Sequence, residues 1–159
     1  MEQYCELSLR GIDDCVQENE GRLPNNLVLY DGVCGLCTRS VRFLLIIDSQ
    51  RRLTFAPLQG ETANRLVERF PRIKVAGETI LFLRRGERDE FHLYERSSSI
   101  LEILSAVGGI WRLFNVFRII PIGARDSLYD WVARRRYLWF GRYDECQIPS
   151  RKHGGRFLS

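Results

Sequence analysis

Two cysteines three positions apart, Cys34 and Cys37 in the run Cys34-Gly35-Leu36-Cys37, are the residues whose types and spacing point most directly to chemistry. A disulfide exchanger needs two thiols close enough to bridge, and one must ionise near neutral pH. The thiolate is the nucleophile, and its pKa sets how much of it is present. A helix that begins at the cysteines places Cys34 in the first turn, where unpaired backbone amides and the helix dipole stabilise a negative sulfur. Cys34 is therefore assigned as the attacking thiolate. Cys37, one turn further in, is the resolving thiol that breaks the mixed disulfide. Gly35 and Leu36 carry no polar chemistry and set the bend of the turn and the redox poise.

Two other readings stand beside this one: half of a zinc site, or two inert thiols. A structural zinc needs four ligands, and only Cys146 and His153 remain to complete a set, at a wider separation than usual. Cys146 also reads as a second resolving thiol or as a residue packed near the C-terminus. Asp31, three positions before Cys34, is either a proton acceptor for Cys37, a carboxylate that orients the loop, or a simple turn former. Ionised, it raises the thiol pKa against the helix dipole. Arg39 and Arg42 are the candidates to offset it, unless both lie on a solvated face. His92 has no identifiable catalytic partner.

The elements that must position the pair follow from the pattern of apolar residues. Leu27-Val28-Leu29-Tyr30 reads as a strand buried on both faces, Asp31-Gly32-Val33 as the loop after it, and the cysteines to Asp48 as a helix apolar around much of its circumference. Leu53-Thr54-Phe55-Ala56 is a second strand, stopped by Pro57. Glu61 to Phe70 is a second helix, and Thr79 to Leu83 with Phe91 to Tyr94 form a hairpin. Ser97 or Ser98 is expected to cap a third helix that Gly108-Gly109 closes. Further helical patterns run from Trp111 to Ile119 and from Ala124 to Phe140. The run Arg134-Arg135-Arg136 with Tyr137, Trp139 and Phe140 predicts a helix that exposes its arginines and buries its aromatics. The resulting order, βαβ-α-ββα with additional C-terminal helices, is an α/β thioredoxin-like fold with the cysteines where the first strand meets the first helix.

Length and composition bound the rest. The 159 residues suit one domain, 45% are hydrophobic and 28% charged, and the net charge of +4 is too small to argue for nucleic acid or acidic lipid. All but two of the 24 basic residues are arginine. Met1 to Gly21 lacks the apolar region of a secretory signal, and no uncharged apolar stretch suits a membrane span. The chain therefore reads as cytoplasmic, a setting in which Cys-x-x-Cys points to redox or metal chemistry rather than to a structural disulfide. Cys5 and Cys15, in a polar extension over residues 1–26, have no recognisable spacing.

The run Tyr30-Asp31-Gly32-Val33-Cys34-Gly35-Leu36-Cys37 resembles the defining motif of the DCC family of thiol–disulfide oxidoreductases, named for one Asp and two Cys. The likeness continues through Phe43-Leu44-Leu45, Asp48, and Phe55-Ala56-Pro57-Leu58-Gln59. It returns at Tyr129, Val132-Ala133, Arg136-Tyr137 and Phe140-Gly141-Arg142, and ends at Cys146. It assigns residues 27–149 to one domain and leaves 150–159 as a basic tail. The resemblance implies a thioredoxin-like fold and protein-disulfide reductase activity. The leading expectation is an oxidoreductase with no bound cofactor or metal, a protein or small-molecule disulfide as substrate, and a cellular thiol as reductant. The stretch Val75-Ala76-Gly77-Glu78-Thr79 lacks the proline that thioredoxins place before their third strand, so substrate docking is expected to differ. The competing expectation is a non-catalytic module that engages a protein partner through its groove or the Trp111 to Ile119 segment.

Overall fold

A computed structural model describes residues 7–9, 23–69, 80–86, 90–145 and 155–158. In chain order the elements are β1 (Leu7–Leu9), β2 (Asn26–Tyr30), α1 (Gly35–Ile47), β3 (Thr54–Pro57), α2 (Glu61–Arg69), β4 (Leu81–Arg85), β5 (Phe91–Tyr94), α3 (Arg96–Val107), a 3-10 stretch (Gly109–Ile119) and α4 (Ile122–Phe140). The mixed sheet of β2 to β5 is the expected thioredoxin-like one. β2 runs parallel to β3, with Leu29 opposite Ala56, and antiparallel to β4, with Val28 opposite Phe82. β5 continues antiparallel to β4, and β1 adds a fifth strand beyond it, giving the order β1-β5-β4-β2-β3. That last strand lies inside the stretch read as a polar extension.

Successive residues of a strand face opposite sides of the sheet, and both sides of β2 are covered. Leu27 and Leu29 join Ala63 and Leu66 of α2 in one apolar cluster; Val28 and Tyr30 join Val41 and Leu44 of α1 and Ile103 and Val107 of α3 in the other. Both cysteines belong to the second cluster. Pro57 ends the ladder as the partner of Tyr30 on β3, and Phe157 of the C-terminal segment bridges Phe55 on the same strand. Buried Asp48 anchors the turn into β3: its carboxylate accepts the amides of Arg52 (3.0 Å) and Leu53 (2.9 Å) and pairs with Arg156.

Three local expectations are corrected. α1, apolar around much of its circumference and so expected to be little exposed, buries one side only, since Ile46 stays 79% exposed and Phe43 is also exposed. α3 starts at Arg96 without a side-chain cap, because Ser97 bonds to Asp126 of α4 and Ser99 donates to the Ile80 carbonyl (2.9 Å). These serines pin the helix to its neighbours instead of closing its end. In α4 the expected arrangement fails at Arg136 and at the aromatics: Arg136 is buried while Arg134 stays exposed, and Trp131, Tyr137 and Trp139 are exposed. The stretch Val75–Thr79, and Cys5, Cys15, Cys146 and His153, lie outside the described residues.

Candidate active site

The end of β2 delivers Asp31 into a short loop, and the loop delivers Cys34 to the N-cap of α1 with an extended backbone. Its sulfur accepts the Cys37 amide at 3.5 Å, a task usually given to the oxygen of Ser, Thr, Asp or Asn. Cys34 and Cys37 are both buried, at 0% and 3% exposure. α1 carries no acidic residue in its first turn, so its amides face the sulfur unopposed from within the helix.

The two thiols are driven apart in acidity. Cys34 is lowered from 9.0 to about 6, first by the hydrogen bond from the Cys37 thiol; burial opposes this, and the Cys37 amide, the Arg136 charge and the Leu36 amide add to it. Cys37 is pushed far above the usual thiol range, first because it donates to Cys34, then by burial and by the Cys34 charge, with Arg136 acting against these. Such a division leaves one thiol that ionises readily and one that keeps its proton.

Asp31 is 4% exposed and is held on both carboxylate oxygens. Oδ1 accepts the Val33 amide (3.1 Å) and the Gln59 side chain (2.9 Å), while Oδ2 accepts the Tyr137 hydroxyl (2.6 Å) and the Arg136 guanidinium (3.3 Å). Gln59 closes the loop by accepting the Gly32 amide at 3.0 Å. Among the described residues, then, the partners of Asp31 orient the loop and α4, and no thiol donates to it. The cation beside the pair is Arg136, not Arg39 or Arg42, whose side chains are exposed. Arg136 is 4% exposed. Burial works against its charge, yet the hydrogen bond to Tyr137 (2.9 Å) and the electrostatic pull of the Cys37, Tyr137 and Cys34 side chains hold its proton more firmly than usual.

Arg136, Tyr137 and Gln59 therefore complete the site, although the residue pattern gave none of them a role there. Two signals for Arg136 exist in the sequence: the family likeness includes Arg136-Tyr137, and the helical pattern sets Arg136 apart from its neighbours. Helical spacing sets Tyr129, Val132, Ala133, Arg136 and Phe140 on one stripe, and all five are more enclosed than Arg134, Leu138 and Trp139. Past α4, Gly141 (φ +73°) turns the chain back over the cysteines. Gly35 donates to the Gly141 carbonyl (3.2 Å), Tyr143 donates to the Val33 carbonyl (2.8 Å), and Arg142 bridges Cys34 antiparallel. A Cβ on Gly35 would stand 2.1 Å from the Phe140 carbonyl oxygen, so only glycine admits this approach.

No group of three or more His, Cys, Asp or Glu is placed to hold a metal among the described residues. Nor is any described helix long and apolar enough to cross a membrane.

Comparison with known proteins bears on this arrangement. A family profile described as DCC1-like thiol-disulfide oxidoreductase matches residues 28–142, which contain Asp31, both cysteines and Arg136. An uncharacterized protein of Bacillus subtilis, YuxK, is 33% identical over 137 residues, covering 86% of this chain and 96% of its own. A DCC family protein of Arabidopsis thaliana, named as chloroplastic, is 32% identical over 123 residues, covering 77% of this chain and 69% of its own. No solved structure matches the chain.

Proposed function

The chain belongs to the DCC1-like thiol-disulfide oxidoreductase family, and on that premise we propose that it is a protein-disulfide oxidoreductase cycling Cys34–Cys37 between dithiol and disulfide. The observation that carries this reading is the placement of two thiols within one helical turn, Cys34 at the N-cap of α1 with its sulfur accepting the Cys37 amide at 3.5 Å; the lowering of Cys34 to about 6 and the raising of Cys37 agree with it. At neutral pH Cys34 is the thiolate. It attacks a substrate disulfide, forming a mixed disulfide and releasing one substrate thiolate, which takes up a proton.

The second step follows from the first. The Cys34 hydrogen bond and charge are among the main causes that keep Cys37 protonated. Both vanish once Cys34 is bonded to substrate, while the Arg136 charge stays. Cys37 then ionises more readily and attacks the Cys34 sulfur. The Cys34–Cys37 disulfide forms, the second substrate thiol leaves, and two electrons have passed to the substrate. A cellular thiol reductant returns them, in a reducing compartment such as the cytoplasm. Asp31 acts as a positioning residue that holds the loop, Tyr137 and Arg136 in register. The binding-module reading has one observation in its favour, the absence of any buried residue from Gly109–Ile119. It gives no account of the lowered Cys34.

Turnover of a protein disulfide tests the proposal. The wild-type chain should reduce it with glutathione as electron source, Cys34→Ser should fall to background, and Cys37→Ser should accumulate a mixed disulfide at Cys34. Equal activity in wild type and Cys34→Ser would refute it.

A further inference from the structure

Cys34 is fully buried, and a disulfide substrate must reach its sulfur. What lies along it is backbone. Gly141–Tyr143 runs antiparallel to Val33–Gly35, with Gly35 N–H donated to Gly141 and Val33 C=O accepting from Tyr143. The bridge places Arg142 opposite the nucleophile itself. These are the contacts by which an extended peptide adds to an exposed strand edge: main-chain hydrogen bonds on either side of a central residue.

We propose that the Val33–Gly35 edge is the substrate-docking site, that its ligand is an extended polypeptide carrying the disulfide, and that Gly141–Tyr143 occupies this edge until such a segment displaces it. The inference rests on Cys34 being the exchanging thiol. The docked chain donates an N–H to the Val33 carbonyl and accepts the Gly35 amide, in place of Tyr143 and Gly141. Its half-cystine then stands where Arg142 now stands, opposite Cys34. Cys34 thiolate bonds to that sulfur, the substrate S–S bond breaks, and the departing thiolate is protonated by solvent. Gly35 is required twice over: its amide is one of the two docking groups, and a Cβ there would strike the Phe140 carbonyl (2.1 Å). Small disulfides such as glutathione disulfide present too little extended backbone to hold both groups.

Amide hydrogen exchange on the full-length Cys37→Ser protein tests this, in two adducts at Cys34. One adduct is made from a short extended peptide dimerised through a single cystine, the other from hydroxyethyl disulfide. The proposal expects the Tyr143 amide to lose protection in the peptide adduct while the Gly35 amide keeps it. In the hydroxyethyl adduct the two amides should stay or go together. Protection of Tyr143 retained in the peptide adduct, or both amides exposed there, would overturn the docking site. No adduct with either reagent would instead defeat the exchange reading on which the inference rests. A second variant, Tyr143→Pro, removes one strap hydrogen bond and should speed peptide-adduct formation roughly fivefold, the effect of about 1 kcal/mol; an unchanged rate would count against displacement.

Discussion

Four of the five residues of β2 are buried, whereas from Gly109 to Phe140 the single buried side chain is that of Arg136. The two regions therefore serve the molecule differently. β2 to β5 with α1, α2 and α3 form the apolar interior that fixes where a strand ends and a helix begins, and so where Cys34 and Cys37 stand. The C-terminal helices add almost no core. What they bring inward is a guanidinium, a tyrosine hydroxyl on Asp31, and the Gly141–Tyr143 strap across Cys34. Comparing the halves teaches that a thiol pair set by the fold acquires its electrostatics and its cover from an addition to that fold.

If that division is right, the largest effect of a single change in the addition falls on Arg136. Arg136→Met leaves the Asp31 carboxylate buried without its cation, and loss of one partner of a buried pair costs about 3–5 kcal/mol. It also removes a charge that lowers Cys34, so the midpoint of alkylation against pH should move above about 6. Urea unfolding and a pH series of iodoacetamide rates measure the two consequences. A core change in the sheet should separate them. Leu83→Ala, at a fully buried position, should cost about 2–5 kcal/mol and leave the alkylation midpoint where it was.

A smaller effect is expected from linkage. The folded Cys34 pKa lies below its ordinary 9.0, so its contribution is complete above pH 9, declines as pH falls, and is gone below about 6. The stability of the reduced protein relative to Cys34→Ser should therefore grow between pH 6 and 9, as read by chemical denaturation at fixed ionic strength. Cys37, whose folded pKa is raised, works the other way only above its ordinary 9.0. Smallest of all is Leu138→Ala. This side chain is 84% exposed on the same helix as Arg136 and should change stability by less than about 0.5 kcal/mol. A large loss there would mean that α4 belongs to a core after all.

The strand–loop–helix around the cysteines was legible because its signals are local: a run of apolar residues, a turn-forming Asp-Gly, and a helix onset at the first thiol. Asp31 was legible as a site residue by its spacing alone, but its partners were not. Arg136 lies 105 positions away, in a run of three arginines. Composition cannot separate the three; the family likeness at Arg136-Tyr137 and the stripe with Tyr129, Val132, Ala133 and Phe140 do. The same arginine run suggested a solvated face because charge is usually exposed, and here a buried carboxylate outweighs that tendency. The strap was hidden for another reason. A glycine after a helix signals an end, and nothing in Gly141-Arg142-Tyr143 records that the chain then pairs with Val33–Gly35. Leu7–Leu9 is too short an alternation to announce itself as a strand without β5 beside it.

The most direct test of the central claim is a redox titration of Cys34 and Cys37 in the full chain, read by alkylation and mass spectrometry across glutathione ratios. The account predicts a reversible two-electron transition between the dithiol and a Cys34–Cys37 disulfide. Absence of that disulfide at every ratio would contradict it.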